Sequence, residues 1–177
     1  MNPTTEVKMR KRLLGLVLAV TLATPAMAFT RVHEVTAQDI KRTAAPIGGQ
    51  TQQDILCLAY SIFRESGTLP PAAQYAVGQI HINRLETGTW GTQLCQVVFA
   101  PAQFSWTLSP VRTVWSQQQM KDFKRIAINL VQGIRVTSLD NERILHYHAN
   151  YVRPRWGNAN NIVAMAGPHV FYRDIQH

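Results

Sequence analysis

The stretch QQDILCLAYSIFRESGTLPPAAQYAVGQIHINRLETG, residues 52–88, reads as two helices joined by a short connection. Over 52–65 the apolar residues Ile55, Leu56, Leu58, Ala59, Ile62 and Phe63 recur at helical spacing, and Gly67 is the expected stop. A second helix is predicted over 71–87, with Pro71 in its first turn, Ala73, Ala76, Val77, Ile80 and Arg84 on one stripe, and Gly88 as terminator. Downstream, 92–98 reads as a short third helix and 103–107 as a loop or short strand. Ser116 and Gln119 then fit a capping box ahead of a strong helix, with Met120, Phe123, Ile126, Ala127, Leu130 and Val131 as its stripe. Beyond Glu142 the period changes to two. Residues 144–149 read as a strand, 154–161 as a Pro-, Gly- and Asn-rich loop, and 169–173 as a second, antiparallel strand. The expected fold class is therefore α+β, mostly helical, with a small antiparallel sheet late in the chain.

Upstream of the two helices the chain changes character. Residues 29–49 are polar and mixed, and read as a lead-in and linker, so the compact domain is expected over 50–177. Before them, Lys8, Arg10, Lys11 and Arg12 precede the eleven-residue run LLGLVLAVTLA at 13–23, and Ala26-Met27-Ala28 follows. That is the pattern of an export leader over 1–28, and the run is well short of the roughly 18 apolar residues of a spanning helix.

The whole sequence has 177 residues, 46% apolar and 16% charged, which fits one folded domain and excludes wholesale disorder, collagen and coiled coil. Its 18 basic against 10 acidic side chains give a net charge of +8, which points to an anionic partner. Without the leader, 14 bases face 9 acids, a net +5. Export also bears on Cys57 and Cys95, the only cysteines: an even pair in an oxidising compartment favours a disulfide over free thiols or a metal pair.

Acids are scarce in the expected domain, so each can be weighed. Asp54 falls in the first turn of a helix, where it suits the dipole; Asp122, Asp140 and Glu142 lie in polar helix or turn surroundings, and Glu86, near a helix C-terminus, reads as solvated. Glu65 differs, lying in line with Leu58 and Ile62 at the edge of the apolar stripe and in the last helical turn, with Arg64 directed to the opposite side. Burial and the negative helix end both raise a carboxyl pKa, as a general acid requires. A rival metal site would draw on His146 and His148, which share one face of the predicted strand, with His81 and His169 approaching from elsewhere. No H-E-x-x-H, G-x-S-x-G or nucleic-acid module accompanies them. Phe104, Trp106, Trp115, Tyr147, Tyr151, Trp156 and Tyr172, interleaved with Gln103 and several asparagines, supply the aromatic faces and amides of a glycan groove.

Several ordered blocks carry a family resemblance. Residues 57–65 (CLAYSIFRE) and 74–84 (QYAVGQIHINR) resemble the SleB-type cell-wall hydrolases, the spore-cortex-lytic enzyme family, whose C-L-A-x-x-I-Y-x-E-A-R-G-E segment is followed by G-Q-x-A-V-A-x-V-x-x-N-R. The similarity continues at 95–98 (CQVV), 103–106 (QFSW), 146–152 (HYHANYV) and 168–172 (PHVFY). It implies a lysozyme-related fold that cleaves peptidoglycan glycan strands, with Glu65 as the acid. It also implies paired cysteines, which recur in members from Gram-negative bacteria. One departure stands out: where the family reads E-A-R-G-E, this chain reads Glu65-Ser66-Gly67-Thr68-Leu69, without the Arg and the second Glu.

Two carboxyls serve ordinary glycosidases, whereas one suffices for a lytic transglycosylase. The expected activity is therefore strand cleavage to 1,6-anhydromuramoyl ends by Glu65 alone. Gln103, Phe104, Ser105, Trp106, His146, Tyr147, His148 and Tyr151 are the expected sugar-binding residues. No metal or cofactor enters this expectation, and no nucleic acid. The expected protein is a monomer in the periplasm or cell envelope, without a membrane span once the leader is removed, or anchored by the leader if it is not. A wall-binding protein without turnover and an exported zinc amidase are the alternatives.

Overall fold

The computed structural model describes residues 32–101, 103–108 and 114–173. The expected leader lies outside the described residues. Four helices, α1 (Gln52–Ser66), α2 (Pro71–Thr87), α3 (Leu94–Val98) and α4 (Gln117–Val131), pack beside a small mixed sheet. The sheet runs β1 (His33–Glu34), β5 (Ile162–Ala166), β6 (His169–Arg173), β4 (Ile144–Ala149), and a two-stranded ribbon joins β2 (Ile40–Arg42) to β3 (Ile134–Val136). The class is α+β and mostly helical, in agreement with the sequence pattern.

α2 is the hub. It is buried continuously from Ala76 to Leu85, on every side and at polar as well as apolar positions, rather than along one face. Ile82 and Leu85 pack with α1, α3 and α4, while Ala73, Ala76 and Ile80 pack against Val136, Leu139, Ile144, Ala164 and Phe171 beneath the sheet. Gly78 lets the helices approach closely, since a Cβ there would fall 2.4 Å from Leu130 Cδ1 and 2.9 Å from Ile62 Cδ1. Gly88 takes the left-handed φ of 69° that ends the helix. Polar residues on the same helix tie it to the strands: Gln79 accepts from the Val136 amide at 3.0 Å, and the Asn83 amide donates to the Leu139 and Ile144 carbonyls, each at 2.8 Å. Burying such groups is tolerable only because each is hydrogen-bonded.

Four expectations are corrected. Residues in 29–49 are not merely a linker: β1 pairs in parallel with β5, β2 pairs with β3, and Val35 is buried beneath the sheet. A further strand, β5, lies between β1 and β6, so the sheet is mixed rather than a lone antiparallel pair. Glu86 is not simply solvated, for it pairs at 3.1 Å with Arg135, whose fully buried guanidinium shares its charge between Glu86 and Asp140, the latter at 3.6 Å. Residues 105–108 form a 3-10 turn rather than a strand.

The Cys57–Cys95 disulfide ties α1 to α3. Beside it, the Asp54 carboxylate accepts from the Thr51 hydroxyl at 2.6 Å and amide at 3.0 Å, and from the Cys95 amide at 3.0 Å. Burial alone would raise its pKa, but these hydrogen bonds outweigh it and hold the carboxyl below its ordinary value. Asp54→Ala is therefore expected to lower the unfolding free energy at neutral pH by on the order of 1 kcal/mol. Because the native pKa is depressed, the loss should shrink as pH falls through the acid range, which urea titrations at pH 7 and pH 3 would check.

Candidate active site

Glu65 leaves the last turn of α1 facing a cleft of about 520 Å³ between that helix, α2, the 103–108 segment and the sheet. Both carboxyl oxygens are held. Trp106 Nε1 donates to one at 2.5 Å, and the Tyr147 hydroxyl donates to the other at 3.2 Å. Burial pushes the Glu65 pKa up, against the lowering by Trp106, Tyr147 and the nearby charges of Arg64 and Arg84. The outcome is a carboxyl held in place yet biased toward its protonated form. Among the described residues lining this cleft it is the sole acid.

The rest of the expected set divides. Gln103, Phe104 and Ser105 line the cleft, as do Tyr147, His148 and Tyr151. Phe104 is mostly buried as a floor, stacked at 5.3 Å on His81 and 5.6 Å on Trp106, whereas Tyr151 stands at the mouth, 83% exposed. His146 lies elsewhere, against Trp90 and Trp156. Strand alternation sets Tyr147 on the opposite face from His146 and His148, and it is Tyr147 that reaches Glu65. His148 borders the cleft while its Nδ1 donates to the Ala149 carbonyl and its Nε2 accepts from the Tyr172 hydroxyl, both at 2.8 Å.

Arg64 reverses its expected direction. Its guanidinium lies 5.3 Å from the Trp106 ring centre and donates to the Tyr60 hydroxyl at 3.2 Å, so a long side chain folds back over aromatic faces to the cleft wall. Two further residues, Arg84 and His169, line the site without having been singled out for it. Arg84, only 4% exposed, donates from Nε to the Leu145 carbonyl at 2.8 Å and lies over Trp90 and Phe104. A cation inside an otherwise apolar helical stripe was the available signal. His169 packs edge-on against Tyr147 at 5.2 Å, and burial pushes its pKa down to about 4.

The four histidines of the rival zinc site do not converge. His81 is fully buried, donating from Nδ1 to the Val77 carbonyl at 3.0 Å and accepting from the Ser61 hydroxyl at 2.8 Å; burial and then the Arg84 charge push its pKa down to about 3. Among the described residues, no three His, Cys, Asp or Glu side chains form a group able to hold a metal.

Trp106→Phe keeps a ring but removes the indole donor, so the Glu65 pKa should rise further. The alkaline limb of the pH–rate profile should therefore move to higher pH, which activity measured between pH 5 and 9 would show. An unmoved limb would mean that the indole does not control the acid.

No curated protein matches the chain. Among solved structures, the catalytic domain of the SleB protein of Bacillus cereus is similar in fold, with 23% identity and a TM-score of 0.57 over 75% of this chain and 98% of that one. Residues 70–172, more than half of the chain, match the Cell Wall Hydrolase family; they take in Arg84, Trp106, Tyr147 and His169 and begin just past Glu65. The chain belongs to the Cell Wall Hydrolase family.

Proposed function

We propose that the protein cuts the glycan strands of peptidoglycan as a lytic transglycosylase, with Glu65 acting first as acid and then as base. The observation that carries this reading is a single, half-buried carboxyl of raised pKa, held by Trp106 and Tyr147 in a cleft of aromatic and amide side chains. Protonated Glu65 gives its proton to the oxygen linking muramic acid to the next sugar, and the C1–O bond breaks with the electron pair leaving on that oxygen. The carboxylate so formed takes the proton of the muramic C6 hydroxyl as O6 bonds to C1. The product is a 1,6-anhydro end, no water is consumed, and Glu65 ends protonated for the next cycle. Gln103, Ser105 and His148 hold the sugar at the cleft wall, and Arg84 balances the carboxylate between the two steps.

Mass spectrometry of digested sacculi tests the reaction directly. Muramic ends one water lighter than reducing ends are expected; reducing ends would assign the second step to water instead. The absence of the family's Arg and second Glu, here Gly67 and Leu69, favours one other reading, a wall-binding protein without turnover. Sedimentation with sacculi but no release of soluble fragments would establish it.

The same proposal places the protein outside the cytoplasm, in the periplasm or envelope. The basic, apolar, Ala-x-Ala leader and the Cys57–Cys95 disulfide support that placement. Amino-terminal sequencing of protein from the envelope should begin at Phe29; an intact leader would instead mean an anchored form.

A further inference from the structure

We infer that the glycan runs on past Glu65 into a second groove, so that cleavage falls inside strands rather than at their ends; this rests on the glycosidase reading above. The site cleft is one of three hollows that share walls. A smaller one, about 240 Å³, takes Arg64 and Glu65 as lining in common with it and adds Thr68 and Gln119. A third, about 400 Å³, shares Gly67 and Gln119 with the second and continues between the start of α2 and the first turns of α4. Glu65 thus borders two hollows, the site cleft and the smaller one.

The far hollow has the character of a saccharide site. The Gln74 and Gln119 side chains, the Thr68 hydroxyl at the junction and the Tyr75 ring line these two hollows, and the far one holds one acid and one base, Asp122 and Arg125, which pair with each other at 3.2 Å. Its formal charge is balanced, which fits the neutral sugar backbone better than the anionic stem peptides. Gly67 lies where the second and third hollows meet and contributes no side chain to obstruct them. It is fixed there, since a Cβ would fall 2.5 Å from the Phe63 carbonyl oxygen. A strand of several sugars can therefore be bound on both sides of the acid, and binding on the far side contributes to cleaving the bond over Glu65.

The test uses the full chain and soluble glycan strands of defined length, freed of stem peptides by an amidase, with product lengths read at low conversion. A spread of intermediate lengths is expected. Terminal disaccharides alone from the first time points would overturn the inference while leaving the glycosidase reading intact. No fragments from either these strands or whole sacculi would overturn both. Internal cutting of peptide-bearing strands but not of bare ones would assign the groove to the peptide, and so overturn the inference. Thr68→Trp at the junction and Arg125→Trp in the far hollow both place a bulky ring at exposed positions along the path. Each is expected to lower the ratio of internal to terminal products about tenfold; an unchanged ratio in both would overturn the inference.

Discussion

Glu65→Gln is expected to cut the release of soluble wall fragments by on the order of 10³-fold, while the protein folds and still sediments with sacculi. Glutamine keeps the shape of the side chain and can still accept from Trp106 Nε1 and face Tyr147, but it has no proton to give the leaving sugar oxygen. Retained release would remove Glu65 from the role of acid. A second readout moves the other way. Burial raises the Glu65 pKa, so the unfolded chain ionises this group more readily than the folded one. Its ionisation therefore favours unfolding increasingly as pH rises from the ordinary glutamate value toward the native one. The variant should melt higher than wild type at pH 7 and at nearly the same temperature at pH 4. A melting difference that ignores pH would show that desolvation does not govern this carboxyl.

Replacing both Cys57 and Cys95 by Ser should lower the unfolding free energy by about 4 kcal/mol, the entropy of closing a loop of this size in the unfolded chain. The bridged residues are 38 apart, and the bond fastens α3 against the helix that ends in Glu65. Urea titration of the oxidised protein, the protein in reductant and the double variant should give one high midpoint and two coincident low ones. Coincidence of all three would deprive the bond of a stabilising role. Activity at a temperature near the reduced protein's midpoint should fall with the folded fraction, because the carboxyl is positioned by elements that the bridge holds together.

Much of the helical half was legible because its signals were local. α2 starts at a proline and ends at a glycine, and α4 carries its capping box in Ser116 and Gln119, so both boundaries follow from neighbouring residues alone. β5 escaped because Ile162–Ala166 is IVAMA, nearly all apolar; without alternation it shows no period of two, and the Asn-rich loop before it hides its start. β1 is two residues long and gains its identity only from a partner more than a hundred positions away. The site shows the same contrast. The half-buried position of Glu65 was readable from the wheel, and the indole and phenol that hold it lay among the aromatic residues already in view. Which face of β4 meets the acid was not, since the alternation pattern states that Tyr147 opposes His146 and His148 without stating which side is inward. Arg64 misled because a wheel places a Cα, while five further bonds and two aromatic rings decide where a guanidinium ends.

The pairing of His33 with Ala164 has a consequence in time as well as in space. Chains are made and delivered from the amino end, and a strand cannot pair with a residue that has not yet arrived. The four helices are complete in the sequence by Val131, so they can pack early, but the edge strand formed by the first described residues must wait for nearly the last. Folding of this domain should accordingly finish in a slow closing step of high contact order, after the cleft's helical wall has already formed. A truncation ending near residue 160 would leave that early strand without its mate, and with it the sheet side of the acid's surroundings.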